Sequence, residues 1–289
     1  MTTNTPRSPD DWPTEPERRY ARRQGRLAQT CGLDIESHTI DTDTGGRIHY
    51  FVAGVPDGDP VVLLHGITEP AATWLPMLPA LADQYRLYVP DMPGEGLSAK
   101  PSYRGRNLRS FLAEYLLDVF DAVGLDCPHV VAHSLGGWQA FFLTIDHNRV
   151  DRLCLVGAPV GVSREFPLLV RLFTVRGVTR LLFWLMTQGD AVASARQWLR
   201  LFGVVDDSEV PEDFYELYAV RQEIAGLEES LRSMMTEAGT FGRMSPQTDL
   251  SGEIVDIERP TAFIWGSEDY YWEPNTGRAI ARRMPDAEF

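Results

Sequence analysis

Ser134 stands between Ala132 and Gly136, a setting in which a serine can act as a nucleophile. Residues 130–132 are a short apolar run that predicts a buried strand. Gly136 and Gly137 follow at once, and residues 138–145 are compatible with a helix. Strand, sharp turn and helix in that order would lift the Ser134 hydroxyl above the end of a sheet. Such a turn demands small residues two places to either side, and Ala132 and Gly136 meet that demand. A serine hydroxyl at its free pKa is a poor nucleophile, so acyl transfer also needs a base. It needs donors aimed at the developing negative charge as well. Taken alone, these five residues also fit an ordinary helix N-cap serine.

The elements around this turn give it a context. Residues 38–41 and 47–52 predict a hairpin around Asp43-Thr44-Gly45-Gly46. Residues 60–66 are a continuous apolar strand ending in His65-Gly66, as a central parallel strand requires. A short helix over 74–82 and a strand over 85–91 follow. Over 108–123 the apolar residues Phe111, Leu112, Tyr115, Leu116, Val119 and Phe120 form one helical stripe. Further strands are predicted at 153–157 and 260–266, and residues 287–289 look like the start of one more. Alternating strands and helices imply a mostly parallel central sheet flanked by helices, an α/β fold. Residues 1–30 read as a solvated tail and a charged helix over 15–29. From about 162 to 244 helical segments follow one another without strand signals, so the sheet portion divides into 31–161 and 245–289.

Four motifs now stand in one order: His65-Gly66 after a strand, Asp91-x-Pro93-Gly94-x-Gly96-x-Ser98, the Ser134 turn, and Trp265-Gly266-x-x-Asp269. Together they resemble the α/β-hydrolase family over about residues 37–289. In that family the serine turn is the nucleophile elbow, G-x-S-x-G, here with Ala132 at the first position. The helical segment resembles the cap many relatives insert after the sixth strand. The resemblance implies Ser134 as nucleophile and the backbone N–H groups of Ile67 and Leu135 as the oxyanion hole. It implies Asp269 as the acid of the triad, with Glu268 as the nearest competitor. The alternative acid position holds Ala158, Pro159 and Val160, none of them acidic.

The order Ser, acid, His meets a difficulty, because none of the six histidines follows Asp269. His65 reads as structural, and the elbow should turn His133 away from Ser134. His129 and His147 read as solvated or capping, and His38 and His49 belong to the hairpin. The expectation is that the sequence is a fragment, with the last strand, histidine loop and helix beyond Phe289. Glu69 and Glu95 read as solvated loop carboxylates, with a place facing the pocket as the alternative for each, and Trp138 as packed on the sheet.

Composition narrows the partners. The 289 residues give room for one large α/β domain with an insertion, and 44% hydrophobic residues can fill its core. No apolar run approaches the roughly 20 residues that span a bilayer, and no signal-peptide h-region is seen. Cys31, Cys127 and Cys154 lack metal or disulfide spacing, which points to a reduced cytoplasm. A net charge of -14 disfavours nucleic acid and anionic membrane. Lys100 is the only lysine, a composition that fits a high-salt cytosol or a GC-rich genome. The reading is a serine hydrolase without cofactor or metal, cleaving an ester or related carbonyl compound. Carbon–carbon bond hydrolysis, acyl transfer and cofactor-free peroxidation use the same groups. A serine in place of aspartate argues against epoxide hydrolase and haloalkane dehalogenase chemistry. A non-catalytic binding protein on the same fold is the alternative of a different class. Substrate identity and oligomeric state stay open.

Overall fold

The computed structural model describes residues 4–158, 166–186, 189–201, 208, 210–240, 243–269 and 271–289. In chain order the first strands are β1 (Thr5–Pro6), β2 (Glu36–Thr42), β3 (Gly46–Gly54), β4 (Asp59–Leu64), β5 (Tyr85–Pro90), β6 (His129–His133) and β7 (Leu153–Val156). A two-strand ribbon follows, β8 (Gly239–Thr240) with β9 (Arg243–Met244), and then β10 (Thr261–Ile264) and β11 (Ala287–Glu288). The helices are α1 (Glu15–Thr30), α2 (Pro79–Ala82), α3 (Leu108–Val123), α4 (Gly136–His147), α5 (Leu168–Phe173), α6 (Arg176–Met186), α7 (Ala191–Leu201), α8 (Glu212–Arg221), α9 (Leu227–Ala238) and α10 (Pro274–Ala281).

The main sheet runs β1-β2-β3-β5-β4-β6-β7-β10-β11. From β5 to β11 every pairing is parallel, and the strands up to β3 join antiparallel. Successive strand residues face opposite sides, and the core divides accordingly. Tyr50, Val52, Val62 and Leu64 join α3 and α4 in one apolar cluster. Phe51, Ala53, Val61 and Leu63 join Tyr20 and Leu27 of α1 and Tyr215 of α8 in the other. Burial on both faces explains the continuous apolar run of β4. The α3 stripe is buried at every residue the periodicity named.

Four local expectations differ from the structure. Residues 4–14 are not simply a solvated tail. Thr5–Pro6 pairs with β2, and Trp12 is 1% exposed. The Trp12 ring meets His49 edge-on at 5.4 Å, and the Arg47 guanidinium lies 5.0 Å from its centre. The helix expected over 74–82 is split into a 3-10 turn, Ala71–Trp74, and α2. Pro76 and Pro79 each lack the N–H that a continuous helix would use. The segment expected to be purely helical carries the β8–β9 ribbon. Glu95 is 0% exposed. Its carboxylate takes Arg221 Nε at 2.7 Å and Nη2 at 2.6 Å, so the loop after β5 is tied to α8. Among the described residues no helix is long and apolar enough to cross a membrane.

One buried carboxylate holds the loops beside the sheet end. Asp91 Oδ1 accepts the Ala71 N–H at 2.7 Å, and Oδ2 accepts the Leu97 N–H at 2.9 Å. His49 Nδ1 adds a contact of 2.6 Å to Oδ2, and Ser98 Oγ donates to the Asp91 carbonyl. Gly96 has φ +45°, and a Cβ there would fall 2.0 Å from Asp91 Oδ2, so the position admits only glycine. The Lys100 ammonium closes the loop on the carbonyls of Glu95, Gly96 and Ser98. Burial alone would raise the Asp91 pKa, but His49 and the N–H donors reverse this and hold it at about 2, below the ordinary 3.8.

Two outcomes follow. Trp12→Ala should destabilise the fold by about 3 kcal/mol, read by urea denaturation. Asp91 is depressed in the folded state, so its contribution is present above its ordinary pKa and is lost as pH falls through about 2. Asp91→Asn should therefore cost at least about 2 kcal/mol at neutral pH, with the gap to wild type closing between pH 4 and pH 2 in the same assay.

Candidate active site

The turn between β6 and α4 holds Ser134 at φ +48°, a left-handed conformation that a non-glycine residue adopts only under constraint. The constraints are visible. Ser134 N–H donates to Val156 O at 3.2 Å, and its carbonyl accepts the Gly137 N–H at 2.9 Å. A Cβ on Gly136 would lie 2.5 Å from the carbonyl oxygen of Leu64, so α4 crosses β4 with no space between them. Ala132 is fully buried beneath the turn.

Ser134, Leu135, Ile67, Glu268 and Asp269 all line one cavity of about 500 Å3. The four residues expected to act together thus share one chamber, although sequence separates Ile67 from Asp269 by most of the chain. Among the described residues neither the Ile67 nor the Leu135 N–H has a protein acceptor. Asp269 is steered from behind. Its Oδ1 accepts the N–H groups of Tyr271 and Trp272 at 2.9 and 3.0 Å, while Trp265 Nε1 donates to Trp272 O at 2.8 Å. Oδ2 has no hydrogen-bond partner among the described residues. Glu268 is exposed. At the alternative acid position Ala158 is buried, and Pro159 and Val160 lie outside the described residues.

The histidines sort by their partners. His65 Nδ1 donates to Gly66 O, and its Nε2 accepts the Met92 N–H, a structural role. His129 lies 3.2 Å from Asp151, and His147 ends α4. None of the six donates to or accepts from Ser134 Oγ among the described residues. A second Ser–His–Asp chain does exist: Ser37 Oγ meets His49 Nε2 at 2.9 Å, and His49 meets Asp91. These three side chains do not line the Ser134 cavity, and they serve the loop clamp described above.

Glu69 corrects the expectation of a solvated carboxylate. Its Oε2 accepts the Gly66 N–H at 2.9 Å and His133 Nδ1 at 2.8 Å, and both side chains line the cavity. Burial opposes the charge on each. The attraction between them wins, holding Glu69 below its ordinary pKa and raising His133, which Asp269 also favours. The next residue back, Thr68, is at φ +61°. A carboxylate three places after Gly66 was the available sequence signal, since that spacing suits a side-chain acceptor for a loop N–H. Trp138 is 2% exposed but faces the cavity, edge-on to Phe166 at 6.3 Å. Phe173, Phe183, Trp198, Met234 and Met235 are buried, Trp184 is exposed, and the Met186 side chain and Phe202 lie outside the described residues. Among the described residues no group of three or more His, Cys, Asp or Glu side chains is placed to hold a metal.

The chain matches the alpha/beta hydrolase fold family over residues 59–289. It is 34% identical to carboxylesterase YbfK of Bacillus subtilis over 241 residues, 81% of this chain and 73% of that protein. It is 31% identical to a 2-hydroxymuconate semialdehyde hydrolase of Pseudomonas putida over 242 residues, covering 80% and 78%. The crystal structure of carboxylesterase CesB (YbfK) from Bacillus subtilis superposes with a TM-score of 0.72 at 21% identity, over 95% of this chain and 90% of that one. By sequence, sheet order and shape together, the chain belongs to the α/β-hydrolase fold family.

Proposed function

We propose that the protein is a carboxylesterase that works through an acyl-enzyme on Ser134. The observation that carries this reading is Ser134, held at positive φ, lining one cavity with Ile67 and Leu135, whose N–H groups have no acceptor among the described residues. An ester carbonyl with its oxygen between those two donors presents its carbon to the Ser134 hydroxyl. Attack builds negative charge on that oxygen, and the two N–H groups stabilise it. Asp269 is the acid of the triad by the family's chain order, and the base it would orient is none of the six histidines among the described residues. One of its oxygens is fixed by loop N–H groups, and the other has no hydrogen-bond partner among the described residues. Collapse expels the alcohol and leaves the acyl group on Ser134, and water then releases the acid.

The cavity wall favours an uncharged substrate. Glu69, Glu268 and Asp269 are its acidic residues, and His133 is already committed to Glu69. A substrate bearing a carboxylate near the reacting carbon would meet this charge at short range, where burial weakens screening. That weighs against the carbon–carbon hydrolase reading that the second relative's name invites. Helix α5 contributes Val170 and Phe173 to the wall and α9 contributes Met235 and Ala238, and we read the helices α5 to α9 as a cap that excludes water. The free cysteines Cys31, Cys127 and Cys154 fit a cytoplasmic enzyme.

A fluorophosphonate probe should add one adduct to the intact protein, read by mass, and Ser134→Ala should abolish it. An adduct that survives in Ser134→Ala, for example on Ser37, or no adduct at all, would remove the reading. Asp269→Asn should lower kcat for an uncharged aryl ester about 10⁴-fold with little change in KM.

A further inference from the structure

The ladder between β4 and β6 ends at Leu64 opposite Ala132. Two short leads run on from that rung, His65-Gly66 to Ile67 and His133 to Ser134. Among the described residues no backbone hydrogen bond joins His65, Gly66 or Ile67 to β6 or to the turn after it. The Glu69 carboxylate stands where the next rung would be. Its Oε2 accepts the Gly66 N–H at 2.9 Å and His133 Nδ1 at 2.8 Å. One oxygen therefore holds both the residue before Ile67 and the residue before Ser134. A Cβ on Gly66 would lie 2.9 Å from that oxygen and 3.0 Å from His133 Nδ1, so this approach needs a glycine.

The two ends of the tie are not equally firm. His133 is fixed in the sheet, where it pairs with Val156. The loop end carries strain, because Thr68 is at φ +61°, a conformation costly for a β-branched residue. Thr68 lies between Ile67 and Glu69, so freeing Glu69 lets Thr68 relax and turn the Ile67 peptide with it. That peptide is gripped from its other side as well. His65 Nδ1 donates to Gly66 O at 2.8 Å. In a trans peptide the C=O and N–H point in opposite directions, so the Ile67 N–H points away from the His65 ring.

We propose that Glu69 is a positioning residue for the oxyanion hole, setting the placement of the Ile67 N–H relative to Ser134 through its bonds to Gly66 and His133. The inference rests on the esterase reading for the reaction and on these hydrogen bonds for the tie. The electrostatics agree with the geometry. Desolvation alone would lower the His133 pKa, but the Glu69 charge and hydrogen bond outweigh it, with Asp269 adding to them. His65 and Tyr218 of α8 are the other titratable groups that interact with Glu69. Both bonds end on one oxygen, so an amide side chain can make them with its carbonyl oxygen, and a methionine cannot.

The first test compares wild type, Glu69→Gln and Glu69→Met on an uncharged aryl ester. Glu69→Met should lower kcat about 10²-fold with KM little changed, and Glu69→Gln should recover at least about tenfold of that loss. His133→Phe cuts the tie at its other end and should lower kcat by a similar factor, with the double variant no worse than the poorer single one. Equal losses in Gln and Met, a loss confined to KM, or losses that multiply in the double variant would overturn the proposal. The second test reads the tie by NMR without turnover. The Gly66 amide should exchange with solvent at least about tenfold faster in Glu69→Met than in wild type or Glu69→Gln. The His133 imidazole should ionise at a lower pH in Glu69→Gln than in wild type, a comparison that stands even if Glu69→Met does not fold. Gly66 exchange unmoved in Glu69→Met, or His133 ionisation unmoved in Glu69→Gln, would overturn the tie whatever the activity. If both NMR results hold in a protein that turns over no ester, the esterase reading fails and the tie stands.

Discussion

The contact on which the rest of the site depends is the one between Gly136 and the carbonyl oxygen of Leu64. A side chain at 136 would need to sit 2.5 Å from that oxygen, so helix and strand touch through bare backbone. This closeness forces the chain through the tight turn that puts Ser134 at φ +48°. It also brings the start of α4 beside the loop that follows β4, which is why Leu135 and Ile67 line one cavity. A strained residue persists only where its surroundings over-determine it. Here Val156 O, Gly137 N–H and the buried Ala132 do so.

Around that contact the molecule is tied by groups that rarely stand in a protein interior alone. Asp91, Glu95, Arg221 and His49 are 5% exposed or less, and each has a partner. A buried ion pair is weak evidence for stability, because removing both charges from water offsets their attraction. Its clearer effect is to fix geometry. Glu95 and Arg221 join a loop of the sheet portion to α8, and α8 with the turn after it packs on α1 through Thr30 with Asp213 and Arg19 with Glu223. The helical segment is thus fastened on two sides, by a buried pair below and an exposed one at the rim.

What sequence could reveal followed from distance along the chain. The α3 stripe, the two-faced β4 run and the small residues around Ser134 are local patterns, and the structure matches them in place. Glu69 and Glu95 read as solvated because their partners are remote: His133 is 64 residues away and Arg221 is 126. No local rule reaches that far. Trp12 was legible as a large apolar residue but not as a buried one, since the surface that covers it belongs to β3. Asp269, which lines the same cavity as Ser134, was legible as a candidate only through its spacing from Trp265 and Gly266. The loop N–H groups that steer it belong to Tyr271 and Trp272, which a spacing rule does not name.

Lys100 has a consequence for handling the protein. It is the only lysine in the sequence, and its ammonium is turned inward onto three loop carbonyls, where burial lowers its pKa to about 8. Apart from the chain's α-amine, lysine-directed reagents therefore have only this half-buried amine to couple to. Crosslinking with glutaraldehyde, attachment to activated-ester resins and reductive methylation depend on exposed lysine amines, and here those methods meet a surface of carboxylates and guanidinium groups. Immobilisation or dye labelling of this molecule belongs to carboxylate chemistry or to its exposed thiol, Cys127.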